Sequence, residues 1–106
     1  MKGKRLPILA NGEINLPQNP GEYCGPIMGY IGKLLAIFFL KPNSRDADAT
    51  PIARSVQHVA IPPHKYQENP DGTLTITPSI SDTRGDGSGG SDGWHGYLTN
   101  GDWYLA

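Results

Sequence analysis

Asn100-Gly101 lies between Trp94-His95-Gly96-Tyr97-Leu98-Thr99 and Asp102-Trp103-Tyr104-Leu105, and it constrains this chain more than any other feature. A two-residue type I′ turn needs positive φ at both central positions, and Asn-Gly supplies them at little steric cost. A two-residue loop also fixes the register: Thr99 opposite Asp102, Leu98 opposite Trp103, Tyr97 opposite Tyr104. Because strand side chains alternate between faces, Trp94, Leu98, Trp103 and Leu105 are expected on the core side. His95, Tyr97, Thr99, Asp102 and Tyr104 share the other side. That second face gathers an imidazole, two phenols and a carboxylate, and it is the first place to look for a site.

The stretch ahead of the hairpin reads the same way. Thr73-Leu74-Thr75-Ile76-Thr77 alternates strictly, as a half-buried strand of β-branched residues does. Asn69-Pro70-Asp71-Gly72 is a turn, since Pro pre-sets φ and Gly accepts a positive one. Pro78 cannot donate to a ladder, so it ends regular pairing or bends the strand to an edge. Ser79 and Ile80 then lead into residues 81–93, a Gly-rich loop expected to be flexible.

Near the start, Asn11-Gly12 is a second hairpin signal. It pairs Leu9 with Ile14 and Pro7 with Leu16 on an inner face. Residues 17–25 read as a loop. Residues 26–40 admit two readings. Pro26 at a first helical position, with Ile27, Ile31, Leu34, Leu35 and Phe38 at helical spacing, supports a buried helix. Gly29 and Gly32 would each cost that helix about 1 kcal/mol. The alternative is an irregular start followed by a central strand over 33–40, apolar on both faces. The strand is favoured because the run is short, ends in aromatic residues and is bounded by Lys41-Pro42-Asn43. Residues 52–61 give another strand, with Val56, His58 and Ala60 on one side and Gln57, Val59 and Ile61 on the other. Pro62-Pro63 stops it, leaving His64 at its end.

The expected fold is therefore mostly β: one domain over residues 1–106, with five to seven short antiparallel strands, two Asn-Gly hairpins and a long Gly-rich loop. Composition sharpens this. Hydrophobic residues are 37%, and 14 Gly with 10 Pro make close to a quarter of the chain, so strands must be short and the core modest. Self-association that covers an apolar strand, giving a homo-oligomer, is compatible with such a core. A net charge of −1 without a basic block lacks the electrostatic footprint of a nucleic-acid binder. A single cysteine, Cys24, excludes an intrachain disulfide framework and fits a reducing compartment. The basic start Met1-Lys2-Gly3-Lys4-Arg5 is followed by no apolar h-region, and the apolar run over 31–40 is too short to span a bilayer. The expectation is a soluble cytoplasmic protein with no membrane association.

Few motifs carry chemistry. His64 and His95 are candidate metal ligands or an acid/base pair, with a third ligand from His58, Cys24 or Asp82. No close-spaced ligand pair supports this, and hydrogen-bonded or surface histidines are the plainer reading. Gln18 and Cys24 superficially resemble the oxyanion glutamine and nucleophile of papain-type peptidases. The usual tryptophan-bearing context is missing and the chain is too short for that fold, so Cys24 reads as a buried or idle thiol. Gly85-Asp86-Gly87-Ser88-Gly89-Gly90 matches a dinucleotide fingerprint by letters but lacks the flanking strand and helix. Asp82, Asp86 and Asp92 lack the glutamate that would complete an EF-hand.

Thr75-Ile76-Thr77-Pro78-Ser79-Ile80, followed after the loop by Trp94-His95-Gly96-Tyr97-Leu98-Thr99-Asn100-Gly101, resembles a family of small bacterial and phage proteins sometimes labelled ammonia monooxygenase. Its members carry a strand ending Pro-Ser-[Ile/Leu] and then Cys-His-x-[Phe/Tyr]-[Ile/Leu]-x-x-Gly. Here Trp94 stands where the cysteine usually is, so a zinc site built on the family's cysteines has no counterpart. The resemblance implies that Ser79 and His95 belong to one local unit and that the origin is phage or prophage. Two functions follow as expectations. One is a phage accessory or counter-defence binding protein, without a cofactor, that contacts a host protein or small ligand through His95, Tyr97 and Tyr104, with His64 and Ser79 nearby. The other is a small metal-dependent hydrolase, with zinc on His64, His95 and Asp82 and a carboxylate of Asp82 or Asp102 activating water.

Overall fold

The computed structural model describes residues 1–8, 15–31, 34–42, 56–82 and 94–106. They contain eight strands and no helix: β1 (Lys4–Arg5), β2 (Glu22–Ile31), β3 (Leu34–Phe39), β4 (Gln57–Ile61), β5 (Lys65–Glu68), β6 (Leu74–Asp82), β7 (Trp94–Thr99) and β8 (Asp102–Leu105). Two four-stranded sheets form, in the orders β1-β2-β3-β4 and β5-β6-β7-β8. Each sheet is one continuous part of the chain. The fold is all-β among the described residues, with one strand more than the expected maximum.

The sheets pack face to face. Tyr23, Ile37, Phe39 and Val59 from the first meet Leu74, Ile76, Ile80, Trp94, Leu98 and Trp103 from the second in one buried cluster. Aromatic rings fill its centre: Trp103 stands edge-on to Tyr23 (centroids 6.2 Å apart) and to Trp94 (5.5 Å), and lies tilted against Phe39 (5.6 Å). The polar atoms of Trp103 and Tyr23 are satisfied across the interface, as burial requires. The Trp103 indole N–H donates to the Gly21 carbonyl at 2.8 Å, and the Leu74 N–H donates to the Tyr23 hydroxyl at 3.3 Å.

The C-terminal hairpin follows its sequence. Asn100 and Gly101 have φ of 50° and 78°, and Thr99, Leu98 and Tyr97 pair with Asp102, Trp103 and Tyr104. Of residues 26–40, 26–31 belong to β2 and 34–39 form β3, so the described part is strand and not helix, and its start is paired strand where an irregular segment was expected. β3 is apolar on both faces: Ile37 and Phe39 enter the main core, while Ala36 and Phe38 join Cys24 in a second cluster flanked by Leu6, Ile27 and Val56. β4 keeps the expected alternation, with Val59 and Ile61 toward the main core.

Five expectations need correction. The segment 17–25 is not all loop, because β2 begins at Glu22 and pairs with β3. Register shifts between Cys24 and Ile27, and again between Met28 and Ile31, break the alternation by which a strand is recognised. β6 does not stop at Pro78: a register shift between Ile76 and Ile80 absorbs the proline, and pairing resumes to Asp82. Ser81 and Asp82 therefore belong to a strand and not to the loop, whose remaining residues 83–93 lie outside the described residues. β5 was not expected, being four largely polar residues that pair with β6 across the Asn69–Gly72 turn. Not every pair is antiparallel either. The chain start bridges β8 (Lys2 with Asp102; Trp103 N–H to the Met1 carbonyl, 2.8 Å) and then crosses to run parallel to β2 as β1. This covers the β8 edge, which would otherwise offer unpaired backbone groups. Of the Asn11-Gly12 hairpin, Leu9 and Ile14 lie outside the described residues. Pro7 and Leu16 are exposed and in no strand, so they form no inner face.

Candidate functional site

The outer face of the second sheet carries the expected side chains. Tyr97 and Tyr104 sit opposite one another on β7 and β8, 42% and 52% exposed, with His95 exposed beside them. Asp102 and Thr99 are half-buried at the turn. Segregation of indole from imidazole is complete: Trp94 and Trp103 are buried on the opposite side.

Three of the predicted residues converge. His95 Nε2 lies 2.8 Å from the Ser79 hydroxyl, and His64 Nε2 lies 3.1 Å from the Ser79 carbonyl oxygen. A carbonyl can only accept, so His64 carries a proton on Nε2. Ser79 falls inside the shifted register of β6, and beyond the shift Ser81 is the residue paired with His95, so the Ser79 hydroxyl meets the ring on the diagonal. Asp82 ends β6 opposite Trp94.

The other proposed ligands are elsewhere. Cys24 and His58 belong to the outer side of the first sheet, where His58 packs on Phe38 (centroids 6.0 Å). That is the far side of the sandwich from His95. Among the described residues no group of three or more His, Cys, Asp or Glu is placed to hold a metal ion. Cys24 is fully buried, and burial pushes its thiol pKa up to about 11. A thiol held protonated is a poor nucleophile at neutral pH.

A concavity of about 580 Å³ adjoins the face, lined by Met1, Pro42, Trp94, His95, Trp103, Tyr104 and Leu105. Leu105 was expected in the core and is instead 76% exposed. Its register partner is Gly96, and the Trp94 indole folds over that glycine so closely that a Cβ there would lie 2.6 Å from the ring. Trp94 thus fills the inner space that Leu105 would have used. The concavity was not readable from sequence, because Met1 and Pro42 reach it only through the tertiary fold. The threonines of β6 are less available than alternation suggests. Thr75 Oγ1 accepts the Asn100 N–H at 2.9 Å and the Asn69 amide at 3.1 Å, bracing both turns.

No protein-family model, curated protein or solved structure matches the chain. No helix among the described residues is long and apolar enough to cross a membrane.

Proposed function

We propose that this protein is a binding module that engages a host protein or a small ligand through His95, Tyr97 and Tyr104. In this reading it serves a phage or prophage as an accessory or counter-defence factor. The observation that carries the contact face is the in-register pair of exposed tyrosines beside the apolar concavity that His95 and Tyr104 share. Rigid aromatic side chains on a sheet supply large contact area at low entropic cost, and such residues dominate interface energetics. The biological setting rests on the sequence resemblance alone.

Capture from a bacterial host lysate by wild type and by Tyr97→Ala/Tyr104→Ala tests the face. A specific partner retained by wild type should lose at least about tenfold in affinity for the double variant, as hot-spot truncations do. Equal retention refutes the assignment. The metal-dependent hydrolase reading is favoured only by the approach of His64 and His95 to the same serine. Stoichiometric zinc or manganese, lost in His64→Ala/His95→Ala, would promote it over simple binding.

A further inference from the structure

We propose that Ser79 is a nucleophile with His95 as its general base, and that the pair reacts with carboxylic esters bearing a small apolar acyl group. A serine hydroxyl is a weak nucleophile until an adjacent base takes its proton, and the signature of activation is a base within about 2.6–3.2 Å. The 2.8 Å separation of Ser79 Oγ and His95 Nε2 meets that condition.

Both members are held from the backbone. The His64 imidazole N–H donates to the Ser79 carbonyl, fixing the serine from the side away from its hydroxyl. His95 is paired with Ser81 in the sheet, and its own carbonyl accepts the Ala106 N–H at 3.0 Å. The substrate class comes from the neighbourhood. His95 also forms part of the wall of the 580 Å³ concavity, where Trp94, Trp103 and Leu105 offer apolar surface. An acyl chain seated there lies next to the base.

The chemistry balances within the pair, the ester and water. Ser79 Oγ attacks the ester carbonyl carbon while its proton passes to His95 Nε2. The carbon–oxygen bond to the alcohol breaks, and the departing oxygen takes that proton, leaving an acyl-serine and a free alcohol. Water then attacks the acyl carbon, giving its proton to His95, which returns it to Ser79 Oγ as the carboxylic acid leaves.

Acylation needs only a hydroxyl and a base in contact, so covalent capture is the direct readout. The folded protein is incubated with p-nitrophenyl butyrate and, separately, with a fluorophosphonate probe, and the modified residue is mapped by peptide mass spectrometry. Wild type, Ser79→Ala, His95→Gln and Ser81→Ala are compared after near-ultraviolet circular dichroism confirms native packing. The expected result is an adduct on Ser79 that is absent in Ser79→Ala. Its formation should slow about a hundredfold in His95→Gln, within the range of general-base catalysis, and be unchanged in Ser81→Ala. Glutamine can still hydrogen-bond but cannot accept the proton, so the variant separates a base from a merely positioning partner. No adduct on Ser79 in folded wild type, or equal rates in wild type and His95→Gln, would overturn the proposal. Either outcome leaves the tyrosine contact face to be judged by its own capture experiment.

Discussion

The two sheets use the same number of strands in opposite ways. The second is apolar only inward: Leu74, Ile76, Ile80, Trp94, Leu98 and Trp103 are buried, while His95, Tyr97 and Tyr104 face out. The first is apolar on both sides of β3, with Ile37 and Phe39 in the main core and Ala36 and Phe38 in a separate cluster behind it. The second cluster occupies part of the first sheet's outer face with packing, whereas the one-sided second sheet leaves its outward side chains unspent on packing. The candidate site accordingly lies on the second sheet.

If this division is right, the main core should dominate stability. Trp103→Ala removes a ring that touches Tyr23, Phe39 and Trp94 and takes the indole N–H from the Gly21 carbonyl, leaving that carbonyl with the Lys4 N–H alone. A loss of about 4–5 kcal/mol is expected, at the top of the range for large aromatic truncations. Phe38→Ala, in the smaller cluster, should cost about 3 kcal/mol or less. Urea unfolding followed by circular dichroism gives both. A Phe38→Ala loss equal to that of Trp103→Ala would mean that the outer cluster is a second core of equal weight.

The same contrast explains what could be read in advance. Apart from β5, whose four largely polar residues gave no strand signal, the second sheet was legible down to single residues because its turns are locally encoded at Asn69–Gly72 and Asn100-Gly101, and because one-sided burial writes itself as alternation. Its exceptions were local too: the irregularity at Pro78 absorbed into β6, and the Trp94 ring displacing Leu105. In the first sheet β3 and β4 were legible as strands, β4 with its alternation, but their partners were not. β2 was missed, since its two register shifts erase the period. β1 was missed because two residues carry no pattern at all. Within the site, His95, Tyr97 and Tyr104 followed from the hairpin. The approach of His95 to Ser79 was implied by the resemblance alone, and the adjoining concavity depends on contacts between distant segments, which no local pattern specifies.

A second, smaller test concerns how the first sheet begins without a turn signal. Glu22, at the head of β2, is buried, and its carboxylate accepts the Gln18 and Asn19 backbone N–H groups at 2.8 and 2.9 Å and the Asn19 side-chain amide at 3.3 Å. Burial alone would raise its pKa, but these donors outweigh it and hold the group below the ordinary range. A depressed carboxyl pKa contributes stability above the unfolded value, near 4.3, and that contribution is lost as pH falls through the folded value. Glu22→Gln should therefore cost about 1–2 kcal/mol at neutral pH, the scale of hydrogen bonds to a charged group. The difference from wild type should shrink steadily below about pH 4. A pH-independent difference would assign the effect to shape and not to charge.

The smallest expected effect bears on what joins the two sheets. Arg5 in β1 forms an ion pair with Glu68 in β5, with Nη1 3.0 Å from Glu68 Oε2, and also donates to the Gly25 and Gly72 carbonyls at 2.8 and 3.0 Å. Hydrogen bonding to Glu68 raises the Arg5 pKa against the opposing effect of burial, and the same contact holds Glu68 below its ordinary value. The geometry resembles a latch between sheet edges. Yet the Glu68 side chain is 54% exposed, so solvent screens the attraction, and exposed pairs are worth less than about 1 kcal/mol. A double-mutant cycle with Arg5→Lys and Glu68→Gln should give a coupling of about 0.5 kcal/mol that fades toward zero near 1 M salt. The coupling should also vanish on acidification, as Glu68 takes up its proton. A salt-resistant coupling above about 2 kcal/mol would mean that the sheets are held by a polar clamp at their edge as much as by the aromatic packing between them. The two-faced first sheet would then owe its position to Arg5 as well as to Phe39 and Tyr23 beside Trp103.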